Sequence, residues 1–425
     1  MSHNSNHNND RLTWLGISMV MMGSLLYAYE FFIRVAPSSL NLEMMHYYSM
    51  SDSDLGYFKA AFYFGYVCMQ IPAGLLIDRF GPRRLLFLGM IICSLSTFAV
   101  AFFQQIHWLV LARIFAGMAS SFAYLCPLVL IHHWLPHRFF GYAAGMVQLI
   151  GNLAAMLGTV PVLALFQHYG MQGMFITTGV IGICGSAIML LVKPQGPIGK
   201  DHHKLAHIPQ QLKVIHRTPN TYVLATLGLI SWIPMAIIAE NYGNDYFQAL
   251  WQLDATSAQS FIMTIWIGNC IGGPLMGWGS QKMNRRFTPM ILSFGISAVC
   301  LLGCTFMSGI SGITNFILCL GIGICSGVQV VTFATLSDRH APSTMGTASG
   351  VQNMAVAASG LLTLTMPTIL AFLRQSSASS HQLFQGLSHH HLTYILGLLI
   401  GIMLIGILIA ALLGKETYCQ QQERL

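Results

Sequence analysis

The chain has 425 residues, of which 54% are hydrophobic and only 8% are charged. Its mean hydropathy is +0.62, and a water-soluble protein of this length could not cover that much apolar surface. Apolar runs of about 18 residues or more recur along the chain. They exclude an outer-membrane β-barrel, whose strands alternate polar and apolar residues.

The formal net charge of +7 would indicate a nucleic-acid partner in a soluble protein. Here the basic residues gather at the ends of apolar runs, so we predict membrane lipid as a partner and no nucleic acid. The 10 cysteines lack metal-ligand spacing, and the clusters His132–His133 and His389–His391 lack cysteine or acidic partners. We therefore predict no metal and no cofactor. No G-x-x-x-x-G-K-S/T loop and no nucleophile–base motif is present, so we predict neither ATP hydrolysis nor enzymatic activity.

Twelve apolar stretches long enough to cross a bilayer follow one another along the chain. The predicted spans cover 12–37, 54–78, 84–104, 107–130, 140–166, 172–192, 221–244, 256–281, 288–308, 312–335, 345–373 and 392–414. The hydrophilic segment 193–220 is a predicted cytoplasmic linker between two groups of six. The sequence thus predicts an all-α membrane protein with six-helix bundles at 12–192 and 221–414, and with short tails at 1–11 and 415–425.

The basic residues predict the orientation, because cytoplasmic loops of membrane proteins carry an excess of lysine and arginine. Most of the 20 lysines and arginines fall at one side of the predicted spans. The opposite loops carry acidic residues, namely Glu43, Asp52, Asp54, Asp245 and Asp254. We therefore predict a multi-pass protein of the bacterial inner (cytoplasmic) membrane with both termini in the cytoplasm.

A glycine-rich charged turn separates the second and third spans and has a weaker copy in the second half. The first turn reads Gly74-Leu-Leu-Ile-Asp78-Arg79-Phe-Gly81-Pro82-Arg83-Arg84. Gly74 corresponds to Gly277 and Arg83 to Arg285, with an offset of roughly 200 residues in both pairs. A constant offset between two groups of six spans is typical of a parallel internal repeat.

With two groups of six spans and a charged turn between the second and third spans, the chain resembles the major facilitator superfamily over nearly all of its length. Arg113 and Gly117 resemble the arginine pattern of that family's fourth helix, and Arg34, in Tyr29-Glu-Phe-Phe-Ile-Arg34-Val-Ala-Pro37, resembles its organic-anion and sugar-phosphate symporters. The resemblance implies two six-helix bundles that rock around a central cavity.

The charged turn is also a predicted gate. We expect it to latch the cytoplasmic side in the outward-open state through residues Gly74, Asp78, Arg79, Gly81, Arg83 and Arg84. In the alternative interpretation these charges only set the topology. Gln281 stands where the first turn has Asp78, so we expect a weaker charge lock at the second turn.

Five charged residues lie inside predicted spans, where each costs roughly 2.5–3.5 kcal/mol on insertion scales. They are Glu30, Arg34, Lys59, Arg113 and Glu240. Because the helices alternate in direction, all five fall in the outer half of the membrane. A shared depth favours a shared cavity.

Helical spacing predicts how these charges act. Arg34 lies on one face with Glu30 and Tyr27, and Lys59 lies on one face with Tyr63 and Tyr66. We predict that the two faces meet across the cavity and that Arg34 and Lys59 bind an anionic group. The alternative is a structural pair of Glu30 with Arg34, with the Lys59 side chain extending outward.

Proton coupling is assigned to Glu30 and Glu240, because a buried carboxylate can change its protonation when a cation or an anion approaches. Arg113 is a further candidate for proton transfer. Two alternatives stay open: Glu240 as an interfacial residue, and Arg113 as a structural partner of Glu30.

Polar and aromatic side chains on the same spans complete the predicted substrate site. They are Tyr63, Tyr66, Gln148, Asn152, Trp232, Trp266, Asn269, Gln352 and Asn353. In the alternative interpretation the amides join neighbouring helices instead of contacting substrate.

The sequence as a whole predicts a secondary active transporter that works by alternating access. We expect it to import a small organic anion or zwitterion together with protons, and to function as a monomer. The fifth span lacks the Gly-Pro pair usual in drug–proton antiporters of the family, which favours uptake over efflux. The alternatives are a proton-driven exporter of the same fold and a membrane sensor that does not transport.

Overall fold

The computed structural model of the protein describes residues 14–135, 140–191, 219–306, 312–340, 342–374, 384 and 389–419. Within these ranges the chain is helical and has no β-strand. The predicted tail at 1–11, most of the predicted linker at 193–220 and the end of the predicted tail at 415–425 lie outside the described residues.

The first half of the described chain is a series of α-helices. They are α1 (Trp14–Val35), α2 (Asn41–Tyr48), α3 (Asp52–Phe80), α4 (Pro82–Phe102), α5 (Ile106–Ser120), α6 (Phe122–Trp134), α7 (Phe140–Leu157) and α8 (Val160–Met189). A 3-10 segment, Ala36–Leu40, joins α1 to α2. It contains Pro37, whose ring nitrogen cannot donate a hydrogen bond, so the α-helical ladder is interrupted there.

The second half continues in the same way. Its helices are α9 (Pro219–Pro234), α10 (Gly243–Trp251), α11 (Ala255–Met283), α12 (Phe287–Phe306), α13 (Gly312–Ser326), α14 (Gln329–Arg339), α15 (Pro342–Ala358), α16 (Thr365–Arg374) and α17 (His389–Leu413). A π-helical segment, Met235–Tyr242, joins α9 to α10, and a 3-10 segment, Ser359–Leu364, joins α15 to α16.

These elements form twelve helical segments, as the sequence predicts. The pairs α1–α2, α5–α6, α9–α10, α13–α14 and α15–α16 each make one long segment. Helix α8 divides at Gly170, whose φ of 67° and ψ of −176° turn the chain between the fifth and sixth segments. Ten stretches of the described chain are long and apolar enough to cross a membrane.

The internal repeat is visible in how matching helices begin. Ser49 and Gln252 both have φ of 52°, and each is followed two residues later by the N-cap of a long helix. The caps are Ser51 before α3 and Asp254 before α11. Hydrogen bonds from Ser257 lower the pKa of the Asp254 carboxyl, which is the expected effect of donors on a carboxylate.

Two glycines let helices of the same half pack with their backbones in contact. A Cβ atom at Gly117 would lie 1.9 Å from the carbonyl oxygen of Phe62, so α5 packs directly on α3. A Cβ at Gly323 would lie 2.0 Å from the carbonyl oxygen of Ile265, so α13 packs in the same way on α11. The glycine of the family-like Arg113–Gly117 pattern is therefore a packing residue.

The turns between helices lie on two opposite faces of the molecule. We call the face with the turns at Gly81 and Asn284 the basic face, and the opposite face, with the turns at Ser49 and Gln252, the far face. The predicted charged residues of the spans lie between the two faces and closer to the far face. This arrangement positions the candidate site.

Candidate functional site

A buried ion cluster joins the two halves. The Arg34 guanidinium lies between two carboxylates: its Nη1 is 3.4 Å from Glu30 Oε1, and its Nη2 is 3.4 Å from Glu240 Oε1. All three side chains are at least 92% buried, with 8%, 1% and 0% exposure for Arg34, Glu30 and Glu240. The predicted structural pair of Glu30 and Arg34 therefore exists, and a carboxylate of the second half extends it.

Glu240 is held in place by donors from both halves. The Tyr63 hydroxyl donates to Glu240 Oε2 at 2.5 Å, and Trp232 Nε1 donates to Glu240 Oε1 at 3.2 Å. The Asn241 amide in turn donates to the Tyr63 hydroxyl at 3.1 Å. Glu240 lies in the π-helical segment and is fully buried, so the interpretation as an interfacial residue is wrong.

Lys59 lies on the far-face side of this cluster. Its ammonium group donates to the carbonyl oxygen of Asn241 and lies 3.8 Å from the centre of the Tyr242 ring. The side chain is only 2% exposed, so the alternative in which Lys59 extends outward is wrong. Lys59 binds the opposite half of the protein instead of facing the cavity.

Asparagines complete the closure of the far face. Asn41 Nδ2 donates to Asp245 Oδ2 at 2.5 Å and to the carbonyl oxygen of Asn241 at 2.8 Å. Asn244 Nδ2 donates to the carbonyl oxygen of Ser39 at 3.1 Å. These three hydrogen bonds link residues 39–41 of the first segment to residues 241–245 of the seventh, so the two halves are joined there.

A central cavity of about 200 Å³ lies on the basic-face side of the ion cluster. Six predicted substrate-site residues line it, namely Arg34, Tyr63, Tyr66, Gln148, Trp232 and Asn353. The Tyr27 hydroxyl donates to Gln148 Oε1 at 2.9 Å, and Asn353 Nδ2 donates to Gln70 Oε1 at 3.1 Å. The wall thus combines one arginine with tyrosine hydroxyls and amides from both halves.

Five other predicted substrate-site residues do not line the cavity, namely Lys59, Asn152, Trp266, Asn269 and Gln352. Gln352 Nε2 donates to the Thr332 hydroxyl at 2.6 Å. Neighbouring residues of a helix point about 100° apart, so Gln352 points away from the cavity that Asn353 lines. Trp266 is fully buried behind Phe31, with ring centres 5.9 Å apart. Their contact with substrate stays a prediction.

The sequence interpretation missed part of the cavity wall. The missed residues include Phe31, Tyr124, Gln329 and Phe333, whereas Tyr27 lies in the wall on the helix face that the sequence predicted. Gln329 is an isolated amide at the start of α14, so it carried a usable signal. Phe31, Tyr124 and Phe333 carried none, because aromatic side chains are also common in the cores of membrane helices.

Arg113 lies away from the central cavity. Its Nη1 donates to the carbonyl oxygen of Ile33 at 3.0 Å, and its guanidinium lies 4.6 Å from the centre of the Phe62 ring. Within the described chain, the ion pairs closer than 4.0 Å join Arg34 to Glu30, Arg34 to Glu240 and Arg286 to Asp338. Arg113 thus forms no ion pair with Glu30 within 4.0 Å in the described chain, although the two charges act on each other. The pairing of Arg113 with Glu30 and its role in proton transfer both stay predictions.

The predicted gate turn has a defined backbone. Helix α3 ends at Phe80, Gly81 follows with φ of 77°, and Pro82 begins α4. Arg83 Nη2 donates to the carbonyl oxygen of Leu190 within the same half at 2.6 Å, Arg84 is exposed, and a Cβ at Gly74 would have no neighbour within 4 Å. The side chains of Asp78 and Arg79 lie outside the described residues, so the latch stays a prediction.

The second turn holds an ion pair that the sequence did not indicate. Arg286 Nε donates to Asp338 Oδ2 at 2.8 Å and its Nη2 donates to Asp338 Oδ1 at 3.2 Å. The Thr417 hydroxyl donates to the same carboxylate at 2.7 Å. The aspartate comes from α14 and not from the turn itself, which is why a comparison of the two turn sequences could not find it.

His340 is a titratable group of the basic face. Its Nε2 lies 2.7 Å from the Thr221 hydroxyl oxygen, and the residue is 5% exposed. Burial and the neighbouring Arg339 lower the pKa of the His340 imidazole, because both disfavour its charged form. The neutral ring therefore helps to join α14 to α9.

Comparison with known proteins agrees with the geometry. A sequence model of the Major Facilitator Superfamily matches residues 16–364. The probable galactarate/D-glucarate transporter GudP of Escherichia coli (strain K12) is 24% identical over 399 residues, covering 82% of this chain and 85% of that protein. The probable anion transporter 7 of Oryza sativa subsp. japonica is 28% identical, but the match spans only 35% of this chain and 34% of that relative's length.

The fold agrees with a solved structure as well. The crystal structure of a D-xylose-proton symporter superposes with a TM-score of 0.76 at 14% identity, covering 96% of this chain and 99% of the other. Fold and cavity define a multi-pass membrane transporter. The chain belongs to the Major Facilitator Superfamily, and the predicted family, the twelve-helix all-α fold and the absence of an enzymatic function are confirmed.

Proposed function

We propose that the protein is a proton-coupled importer of a small organic anion. The observation that carries this proposal is Arg34. It lines the central cavity, and neither its Nε nor its Nη2 makes a hydrogen bond within the described chain, although Nη2 lies 3.4 Å from Glu240 Oε1. A guanidinium at a cavity wall whose carboxylate contacts are as long as 3.4 Å suits a substrate carboxylate, which it can bind through two parallel hydrogen bonds.

Proton coupling follows from the charges around Arg34. One guanidinium faces two carboxylates, those of Glu30 and Glu240, at 3.4 Å each. An anion that binds Arg34 adds a third negative charge to a buried site, which is unfavourable in a low dielectric. Protonation of one carboxylate removes that excess. Anion binding and proton binding therefore favour each other, and a symporter has this property.

The closed far face supports alternating access. Lys59, Asn41 and Asn244 join the two halves there by hydrogen bonds. On the basic face, Cβ atoms at Gly74, Gly145 and Gly350 would have no neighbour within 4 Å in the described chain. We propose that the six-helix bundles at 12–192 and 221–414 rock between this state and one that opens the far face.

Charge distribution and relatives support the remaining assignments. The excess of lysine and arginine on the basic face favours a cytoplasmic location for that face and for both termini. The relative GudP is named as a transporter of galactarate and D-glucarate, so we propose organic acids as the substrate class. Residues from both halves of the chain line the cavity, so we propose that the monomer transports, in the bacterial inner membrane.

The test is uptake by proteoliposomes with a set of radiolabelled mono- and dicarboxylic acids, under an imposed pH gradient. We expect at least one acid to accumulate when the outside is more acidic. Glu30→Gln and Glu240→Gln should each weaken the pH dependence, while Asp54→Asn, in an exposed N-terminal capping box of α3, should not.

Each other outcome contradicts a specific part of the proposal. Accumulation against a reversed proton gradient indicates an exporter. Acid binding without counterflow indicates a sensor. Unchanged pH dependence in both glutamate variants would show that coupling lies elsewhere.

A further inference from the structure

The central cavity carries its charge at one end only. Arg34, at the far-face end of α1, is the one charged side chain among the described residues that line the cavity. Towards the basic face the wall carries three amides, those of Gln148, Gln329 and Asn353. Gln148 lies in the middle of α7, and Gln329 begins α14, past the middle of the tenth helical segment. A ligand whose anionic group binds Arg34 therefore has its other end among uncharged groups.

The amides keep both donors and acceptors unused. Gln148 Oε1 accepts the Tyr27 hydroxyl, which leaves the Nε2 donor without a partner in the described chain. Asn353 Nδ2 donates to Gln70 Oε1, and the Asn353 Oδ1 acceptor has no donor among the described residues. The Gln329 side chain makes no hydrogen bond to a described residue, so it offers both kinds of group. A hydroxyl group satisfies donors and acceptors together, whereas a carboxylate only accepts and is repelled by the amide oxygens.

The charge of the ion cluster favours the same kind of ligand. Glu30, Arg34 and Glu240 together carry a net charge of −1 when both carboxylates are ionised. A monoanion that enters with one proton leaves this value unchanged. A dianion that enters with one proton changes it to −2, and the described wall holds no second cation to compensate the added charge.

We propose that the cavity selects a monocarboxylate whose remaining body carries uncharged hydroxyl groups, and that Gln329 determines the selection against a second carboxylate. The inference rests on the proposed transport of organic anions and names the class within it. It departs from the relative GudP, which is named for galactarate and D-glucarate, because each of these acids has two carboxylates. Gln329 is the position to alter, since Gln148 and Asn353 also form hydrogen bonds between helices.

The experiment measures the uptake of matched acids by proteoliposomes of the full-length protein under an inward proton gradient. The two acids of a pair share one carbon chain and differ in one terminal carboxylate: D-gluconate with D-glucarate, and 3-hydroxybutyrate with malate. In each pair that is transported, we expect the monocarboxylate to enter roughly tenfold faster or more, the effect of one uncompensated charge. Butyrate should enter more slowly than 3-hydroxybutyrate, because a site with unused polar groups rejects an analogue that lacks the hydroxyl.

A single substitution should move the preference. Gln329→Arg places a second guanidinium in the cavity wall, so the uptake ratio of dicarboxylate to monocarboxylate should rise by roughly tenfold, the effect of one hydrogen bond to a charged group. Gln281→Arg, the same exchange at an exposed site outside the wall, is the matched control and should keep the wild-type ratio. If Gln329→Arg fails to fold, the wild-type pairs and the butyrate comparison decide.

The outcomes separate this inference from the proposed function. Equal or faster uptake of the dicarboxylates by the wild type overturns the inference and leaves proton-coupled anion import in place. Equal uptake of butyrate and 3-hydroxybutyrate contradicts the selection for hydroxyl groups, and a folded Gln329→Arg with the wild-type ratio contradicts the role of Gln329. If neither these acids nor any other organic acid accumulates, the proposed function fails and the inference fails with it.

Discussion

Two buried arginines of the first half differ in what surrounds them. Arg34 lies between the halves, with two carboxylates at 3.4 Å, one from each half. Arg113 lies inside the first half among α1, α3 and α5, where its guanidinium contacts a carbonyl oxygen and two aromatic rings. A charge balanced across the interface changes its surroundings whenever the halves separate, whereas a charge inside one half keeps them. Only the first kind can couple binding to movement.

The largest expected effect comes from removing the interfacial arginine. If Arg34 binds a carboxylate substrate as proposed, Arg34→Gln loses two charged hydrogen bonds to it, so transport should fall by roughly 100-fold or more. Arg285→Gln is the control, because this arginine is exposed at the basic face and belongs to no predicted site. Initial uptake rates in proteoliposomes measure both. If Arg113→Gln folds and is as inactive as Arg34→Gln, the contrast between the two arginines is incorrect.

A smaller effect is expected at the closed far face. Asn41→Ala removes hydrogen bonds to Asp245 and Asn241 of the other half, so the far-face-open state should gain roughly tenfold in population. Spin labels at the exposed positions Tyr47 and Gln252 would report this as a longer distance in pulsed electron paramagnetic resonance. Asn315→Ala, inside the second half, is the control. An unchanged distance distribution in Asn41→Ala would show that these bonds do not hold the far face closed.

The smallest effect is expected from His340, a titratable group inside one half. Its pKa is lowered in the folded state, so below about pH 6.5 the unfolded chain binds the proton more strongly than the folded one. Stability should therefore fall as the pH drops through that range. His340→Gln should reduce this slope in melting temperature, and His107→Gln, at an exposed site, should not. A change in the proton dependence of transport would instead place His340 in the coupling machinery.

The sequence predicted the frame of the molecule well. Hydropathy gave the twelve segments, and the cost of burying charge singled out the ionic residues before any contact was known. Glycine and arginine at constant offset gave the repeat. These signals are local or periodic, so they can be read from the order of the residues without knowing which helices pack together.

The contacts across the interface could not be predicted in this way. Glu240 approaches Arg34 from within the π-helical segment Met235–Tyr242, and no periodicity of the sequence indicates a π segment. A helical wheel also cannot decide whether Gln352 or Asn353 faces the cavity, since that depends on how α15 is rotated against its neighbours. Lys59 was assigned to the cavity for the same reason, although it binds the Asn241 carbonyl.

The π-helical segment also makes the seventh helical segment tolerant of one particular change in length. A π turn holds one residue more than an α turn, so deleting one residue between Met235 and Tyr242 would restore regular α geometry. The residues after the deletion would keep their direction, and Asp245 would still face Asn41. The same deletion within the regular helix α9 would instead rotate every later residue of the segment by about 100° about the helix axis. The position of a deletion, and not only its length, therefore decides whether the two halves stay joined.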